Sequence, residues 1–373
     1  MKVSIKGFIT CKSAEQYIDC ADNYAVNESS HRFSVSDGVS KSFFPKIWSE
    51  ILVSQFVERT DLKESELIKV CQDEWQKRID EIVSLPETKW FTKSQYSRKD
   101  PALATFVGLH FLEKEKMWSA FALGDSFLFF VPKGYKDYQK ELIRLSSKVE
   151  PIVFDNFPDY LTSIGESHKG RAKEKGGNLR NGTFYLMTDA LAEWFIKEEE
   201  NAIGKITVWK SQADFEKFIV QAIDENQLAN DDCAILCIEL SESDGNGIKY
   251  ENIQVTDLND LINDQEAEKE VKFFFSGKEE TKQTLPEKKV RYEMQETVEQ
   301  NSEQIEQTSE ELSNLETTLV DNHNAENNKT EVLEKEKVEE ETKNDNEKTE
   351  TEKLEQKEQP KVDSKAKNIF DKF

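Results

Sequence analysis

Four aspartates in this chain share one setting, each closing an apolar run or opening the next: Asp37 (FSVSDG), Asp125 (FALGDS), Asp189 (YLMTDA) and Asp231 (LANDDC). A carboxylate at the end of a buried strand is costly unless water or a cation receives it. Several brought to one place would repel one another, so either they are scattered or a divalent metal gathers them. Carboxylate and water ligands suit the hard ions Mg²⁺ and Mn²⁺. Taken singly, each is better explained as an Asp-Gly turn or a helix N-cap than as a ligand.

Other catalytic chemistry has little material. The only histidines are His31, His110, His168 and His323, and none stands in a Ser-His or Cys-His setting. Cys20, beside Asp22, invites a nucleophile reading. Nothing near it in sequence would depress a thiol pKa, and packing accounts for it better.

Alternation of period two in VSIKGFIT (3 to 10), NYAV (23 to 26) and RFSVSD (32 to 37) predicts three short strands with one buried face. From residue 43 to 58 the spacing turns helical, with Ile47, Trp48, Ile51, Leu52 and Phe56 on one stripe. A second helix carries Leu67, Cys71, Trp75, Ile79 and Ile82 and ends near Pro86. The runs 102 to 112, 117 to 124 and 126 to 131 predict an antiparallel meander, and the Gly- and Lys-rich segment 165 to 180 a mobile loop. A strand over 182 to 189, a helix from ALAEWFI, a helix capped by Ser211 with Asp214, and a central strand CAILCIEL (233 to 240) complete the pattern. Strands and helices arrive in groups, so the class is α+β with mainly antiparallel sheet.

Composition divides the chain. All six Trp precede residue 210, and roughly two-thirds of the net charge of −24 falls after residue 245. We expect a folded domain over residues 1–245 and an acidic, largely disordered tail over 246–373, with a short helix near 258 to 262. Leu312, Leu315 and Leu319 do not extend into heptads, and the final VDSKAKNIFDKF offers Ile369, Phe370 and Phe373 as an anchor for a partner's groove. No basic face is concentrated enough for general nucleic-acid or membrane-surface binding. Five Cys without a CxxC pair, no leader-like start and no stretch of membrane-spanning length lead to the expectation of a cytoplasmic protein.

Taken in order, CADNYAV (20 to 26), SVSDGVSKSFFPKIWSEILV (34 to 53), ATFVGLHF (104 to 111), FALGDSFLFFV (121 to 131), LMTDALAEWF (186 to 195) and NDDCAILCI (230 to 238) resemble the PPM-type, metal-dependent type 2C protein phosphatases, bacterial single-domain members in particular. The resemblance implies a four-layer α-β-β-α sandwich of two antiparallel sheets flanked by helices, with a two-metal site at one end. It implies Asp37 as the ligand bridging both metals and a Gly38 carbonyl on one of them. Asp189 and Asp231 would complete the first metal, Asp125 with Asp189 would hold a weaker third, and Asp22 would lie near the second. Asp232 falls outside this set, as a supporting residue. Catalysis would rest on Asp37, Asp189 and Asp231, through a hydroxide bridging two Mg²⁺ or Mn²⁺ ions that attacks phosphoserine or phosphothreonine.

The implied partners are a phosphoprotein substrate and an opposing Ser/Thr kinase. Three positions depart from the family pattern. Ala21 replaces an acidic or amide residue touching the second metal, Val39 stands where some members have a proton-donating His, and the phosphate-binding Arg before Asp22 has no match. Lys12, Arg32 and the basic run Lys169, Arg171, Lys173 and Lys175 are the available cations. The alternative reading is a non-catalytic phosphatase-fold protein that binds phosphoproteins.

Overall fold

In a computed structural model of the chain the described residues are 1–276, apart from 63, 155–157, 167 and 244–246. The tail's Leu312, Leu315, Leu319 and terminal VDSKAKNIFDKF lie outside them.

The first part of the chain supplies β1 (Lys2–Thr10), β2 (Asn23–Asn27), β3 (Arg32–Ser36), α1 (Pro45–Glu58), α2 (Glu64–Ser84) and α3 (Trp90–Arg98). There follow β4 (Leu103–Ala104), β5 (Phe106–Leu112), β6 (Met117–Leu123), β7 (Phe127–Pro132), α4 (Tyr138–Glu141), β8 (Ile143–Leu145), β9 (Leu161–Thr162) and β10 (Lys173–Asn178). The last elements are β11 (Gly182–Met187), α5 (Asp189–Glu198), α6 (Glu200–Thr207), α7 (Gln212–Asp224), β12 (Cys233–Ser241), β13 (Lys249–Val255) and α8 (Leu258–Ser276).

Two sheets carry the fold. One has six strands in the order β13-β1-β12-β11-β7-β8, the other five in the order β10-β6-β5-β3-β2. Pairing within both is antiparallel except where β13 joins β1 in parallel.

The period of two explains the layers. On β12, Ala234, Leu236, Ile238 and Leu240 enter the core between the sheets, while Cys233, Ile235 and Cys237 pack toward α5, α6 and α7. A strand buried on both faces reads as one continuous apolar run, which is why CAILCIEL does. From the second sheet, Phe33, Val35, Leu109 and Phe111 meet the same central core. Its outer face, through Phe106 and Leu123, is covered by Trp48, Ile51 and Phe56 of α1 and Trp75 and Ile79 of α2. The result is helices, sheet, sheet, helices: an α+β protein with antiparallel sheets flanked by helices.

Three expectations need correction. The meander stops after two strands: β5 pairs with β6, but β7 belongs to the other sheet, between β11 and β8. The crossover is made at Gly124, whose φ of +99° only glycine adopts freely and where a Cβ would stand 2.5 Å from Thr105 Cβ. Gly124→Ala should therefore cost about 2–5 kcal/mol, read as a loss of denaturant midpoint at unchanged slope.

The expected mobile loop contains β10, an edge strand on β6 from Lys173↔Ala122 to Asn178↔Met117. Its sequence, KEKGGN, lacks strand signals because most of its side chains face water. β13 likewise adds a strand beyond residue 245, and its polar, exposed KYENIQV hid it for the same reason. The helix expected at 258 to 262 runs on as α8. Among the described residues, no helix is long and apolar enough to cross a membrane.

Candidate active site

Strand register brings the aspartates together. Asn23 at the start of β2 faces Ser36 at the end of β3, so Asp22 and Asp37 leave the sheet on the same side. Val35 pairs with Val107, and Phe106 at the start of β5 pairs with Leu123 at the end of β6, which brings the turn bearing Asp125 to that end. In the other sheet Met187, the last residue of β11, faces Ile235, and Thr10, the last of β1, faces Cys233. Asp189, Asp231 and Lys12 therefore emerge at the matching end.

The immediate surroundings of each side chain are specific. Thr105 N–H donates to the Asp37 carbonyl at 2.8 Å, and Gly38 N–H to the Ala21 carbonyl at 3.2 Å. A Cβ on Gly38 would lie 2.8 Å from the Pro45 carbonyl oxygen, so only glycine fits between the two loops. Asp189 opens α5, and the Ala190 N–H donates to its Oδ1 at 2.6 Å, where the helix N-terminus favours negative charge. Asp231 Oδ1 accepts from Asp232 N–H at 2.8 Å and pairs with Lys12 Nζ at 3.0 Å.

Asp22 and Asp125 are buried, each about 1 % exposed, whereas Asp37, Asp189 and Asp231 keep an open edge. Burial raises the Asp37 carboxyl pKa well above its ordinary value, and the charges of Asp189, Asp125 and Asp231 raise it further. Asp22 is raised in the same way by burial and by Asp37 and Asp232. Asp189 is pushed up to about 7, by burial and then by Asp125 and Asp231. These mutual effects show one electrostatic cluster, drawn from the four singled-out aspartates and Asp22.

Asp232 has a different task. Its Oδ1 accepts from Lys12 N–H at 3.0 Å and its Oδ2 from Ala21 N–H at 2.8 Å, tying the loops after β1 and before β2 to the start of β12. Asp232→Ala leaves two such donors without their acceptor and should cost about 2–4 kcal/mol in chemical denaturation.

The cations are sorted by the fold. Lys12 lies at the cluster, with Ser40 Oγ at 2.9 Å as well as Asp231. Burial alone would lower its pKa, but the hydrogen bond and charge of Asp231 outweigh it and the net shift is upward. Arg32 does not reach the site: it donates to the carbonyls of Phe56 and Arg59 at the far end of β3 and lies over the Phe56 ring. Lys148, in a polar segment with no signal in the sequence, stands 3.6 Å from Asp125 Oδ2.

His31 and His110 also sit at the far end of β3 and β5, His31 against the Tyr250 hydroxyl and His110 opposite Arg32. His168 Nδ1 accepts from the Thr162 N–H. Val39 meets the Leu103 carbonyl through its own N–H. Cys20 is buried, and burial with the charges of Asp232 and Asp22 keeps it a thiol, which removes the nucleophile reading.

The donor chemistry fits a hard divalent ion, being all oxygen, and among the described residues the buried Oδ2 of Asp22 has no hydrogen-bond partner. The geometry is not a finished cage: among the described residues, no group of three or more His, Cys, Asp or Glu side chains stands ready to hold a metal ion.

No protein-family model matches the chain, and no curated protein matches it. Among solved structures it is similar to the photosystem II phosphatase PBCP at 14 % identity and TM-score 0.43, covering 64 % of this chain and 99 % of that one. The serine/threonine phosphatase PstP/Ppp of Mycobacterium tuberculosis is 10 % identical with TM-score 0.41, covering 64 % of this chain and 99 % of that one. The serine/threonine phosphatase Stp1 from Staphylococcus aureus is 11 % identical with TM-score 0.43, covering 65 % and 98 %.

Proposed function

We propose that this chain is a divalent-metal-dependent phosphohydrolase acting on phosphoserine and phosphothreonine in proteins, opposing a Ser/Thr kinase. The observation that supports this reading is that the strand ends bearing Asp22, Asp37, Asp125, Asp189 and Asp231 lie at one end of the sandwich, where burial and the neighbouring carboxylates raise the pKa values of Asp22, Asp37 and Asp189. So much buried acid is unfavourable for a bare fold and is accounted for by a cation ligand.

Asp37, Asp189 and Asp231 would hold one Mg²⁺ or Mn²⁺ ion, Asp37 and the Gly38 carbonyl would reach a second beside Asp22, and Asp125 with Asp189 a weaker third. Bound, such ions supply Lewis acidity toward phosphate oxygens and acidify water. The chain's own residues do the rest. Asp189 is held by the start of α5, Asp232 locks the loops on which Lys12 and Asp22 ride, and Lys12 sets a positive charge at the open edge where phosphate oxygens would arrive. Electrostatic positioning is the main demand of phosphoryl transfer, and these groups meet it with no side-chain nucleophile.

The second reading, a phosphoprotein-binding relative with little or no turnover, is favoured by the buried methyl of Ala21 and by the Lys12–Asp231 ion pair. The full chain, assayed with p-nitrophenyl phosphate and then with phosphoserine peptides in Mn²⁺, Mg²⁺ or chelator, separates the two. Turnover restored from chelator by either ion supports the enzyme. Phosphopeptide binding without turnover under every metal supports the binder.

A further inference from the structure

Next to the acidic mouth lies a surface of opposite charge. β8 and β10 are the terminal strands of their respective sheets, and beside them opens a groove of about 780 Å³ whose lining mixes Phe127, Leu145 and Ile152 with charged side chains. Its rim carries Arg144, Lys148, Arg171, Lys173 and Lys175, against Glu150 and Glu174. Arg144 pairs with Glu150 at 3.5 Å, and the remaining cations leave the groove with a net positive charge. The walls are joined to each other: Lys173 Nζ donates to the Lys148 carbonyl at 2.7 Å and Lys175 Nζ to the Arg144 carbonyl at 3.4 Å. Lys148 in turn reaches Asp125 at 3.6 Å, so the groove's inner end abuts the aspartate cluster.

We infer that this groove binds the acidic segment of a substrate protein, laid in extended form between β8 and β10, with Asp and Glu side chains on the cationic rim. The cationic side chains of the groove supply the affinity and the selectivity for such a segment. Charge complementarity raises the encounter rate and sets the direction in which the peptide lies. That the bound segment delivers its phosphoresidue to the aspartates rests on the function proposed above, and follows from the continuity through Lys148. The volume matches sites that take a few side chains, not a folded surface.

The test uses the full chain in low salt with chelator, and fluorescence anisotropy of a labelled glutamate-rich peptide beside its glutamine counterpart. The glutamate peptide should bind at least about tenfold more tightly. Arg171→Glu with Lys175→Glu, both exposed, should remove that preference, while Lys69→Glu with Lys77→Glu on the exposed face of α2 should keep it. Equal binding of the two peptides, or equal loss in both double variants, overturns the proposal.

A chain carrying glutamine for the glutamates of residues 331–358 covers the remaining occupant. If the peptide binds only to that chain, the groove holds the protein's own tail and the substrate assignment falls. Nothing is turned over in chelator, so the outcome is separate from catalysis. Hydrolysis of p-nitrophenyl phosphate without peptide preference removes the groove and keeps the phosphatase; preference without hydrolysis does the reverse.

Discussion

Asp37→Asn and Asp189→Asn should each lower metal-dependent hydrolysis of p-nitrophenyl phosphate by about 10²-fold or more, and should each make the chelated protein more stable. The two effects have one cause. Asp37 stands in the field of Asp189, Asp125 and Asp231, so its charge is unfavourable in the bare fold and useful only to a cation. Removing one charge relieves the repulsion and removes a ligand. A residue with a purely structural role moves the two quantities in the same direction, down. Steady-state kinetics and thermal unfolding on the same preparations decide it: full activity in either variant, or lower stability in chelator, would contradict the assignment.

Acidifying the chelated protein from pH 7.5 to 5.5 should stabilise the wild type relative to Asp189→Asn by about 2 kcal/mol, roughly 4–8 °C in Tm. The sign follows from proton counts. Asp189 has its folded pKa pushed up to about 7, above the ordinary carboxylate value, so between those limits the folded state holds the extra proton. Stability is then present below the folded pKa and lost as pH rises through it. Solvent at the open edge of Asp189 makes this figure an upper value.

His110 works in the opposite sense: burial, with Arg32 and His31, lowers its pKa to about 4, so its contribution falls as pH drops below the ordinary histidine value. It titrates alike in both proteins and cancels from the difference. Saturating Mg²⁺ or Mn²⁺ should abolish the difference by holding the carboxylates ionised. A difference of opposite sign, or one unchanged by metal, would show that Asp189 does not face the cluster.

The sequence alone carried a good deal of this. Alternation placed β1, β2 and β3 because each buries a face in a core, and a continuous apolar run placed β12 because it is buried on both faces. Helical spacing placed α1 and α2 for the same reason, and Ser211, whose hydroxyl accepts from Asp214 N–H at 3.2 Å, marked the start of α7. Strand-end aspartates were visible one by one as carboxylates in costly positions.

Only tertiary structure could decide what they do together, because convergence depends on register between strands far apart in the chain. The same holds for β7, whose apolar run FLFFVP is compatible with either sheet until the turn at Gly124 sends it across. Exposed edge strands such as β10 and β13 have no buried face and so leave no pattern to read. Lys12 and Arg32 look alike on paper as cations near the first aspartates. Lys12 follows the end of β1 that abuts the cluster, whereas Arg32 opens β3 at the opposite end and is buried beneath α1, a difference set by strand direction and not by residue type.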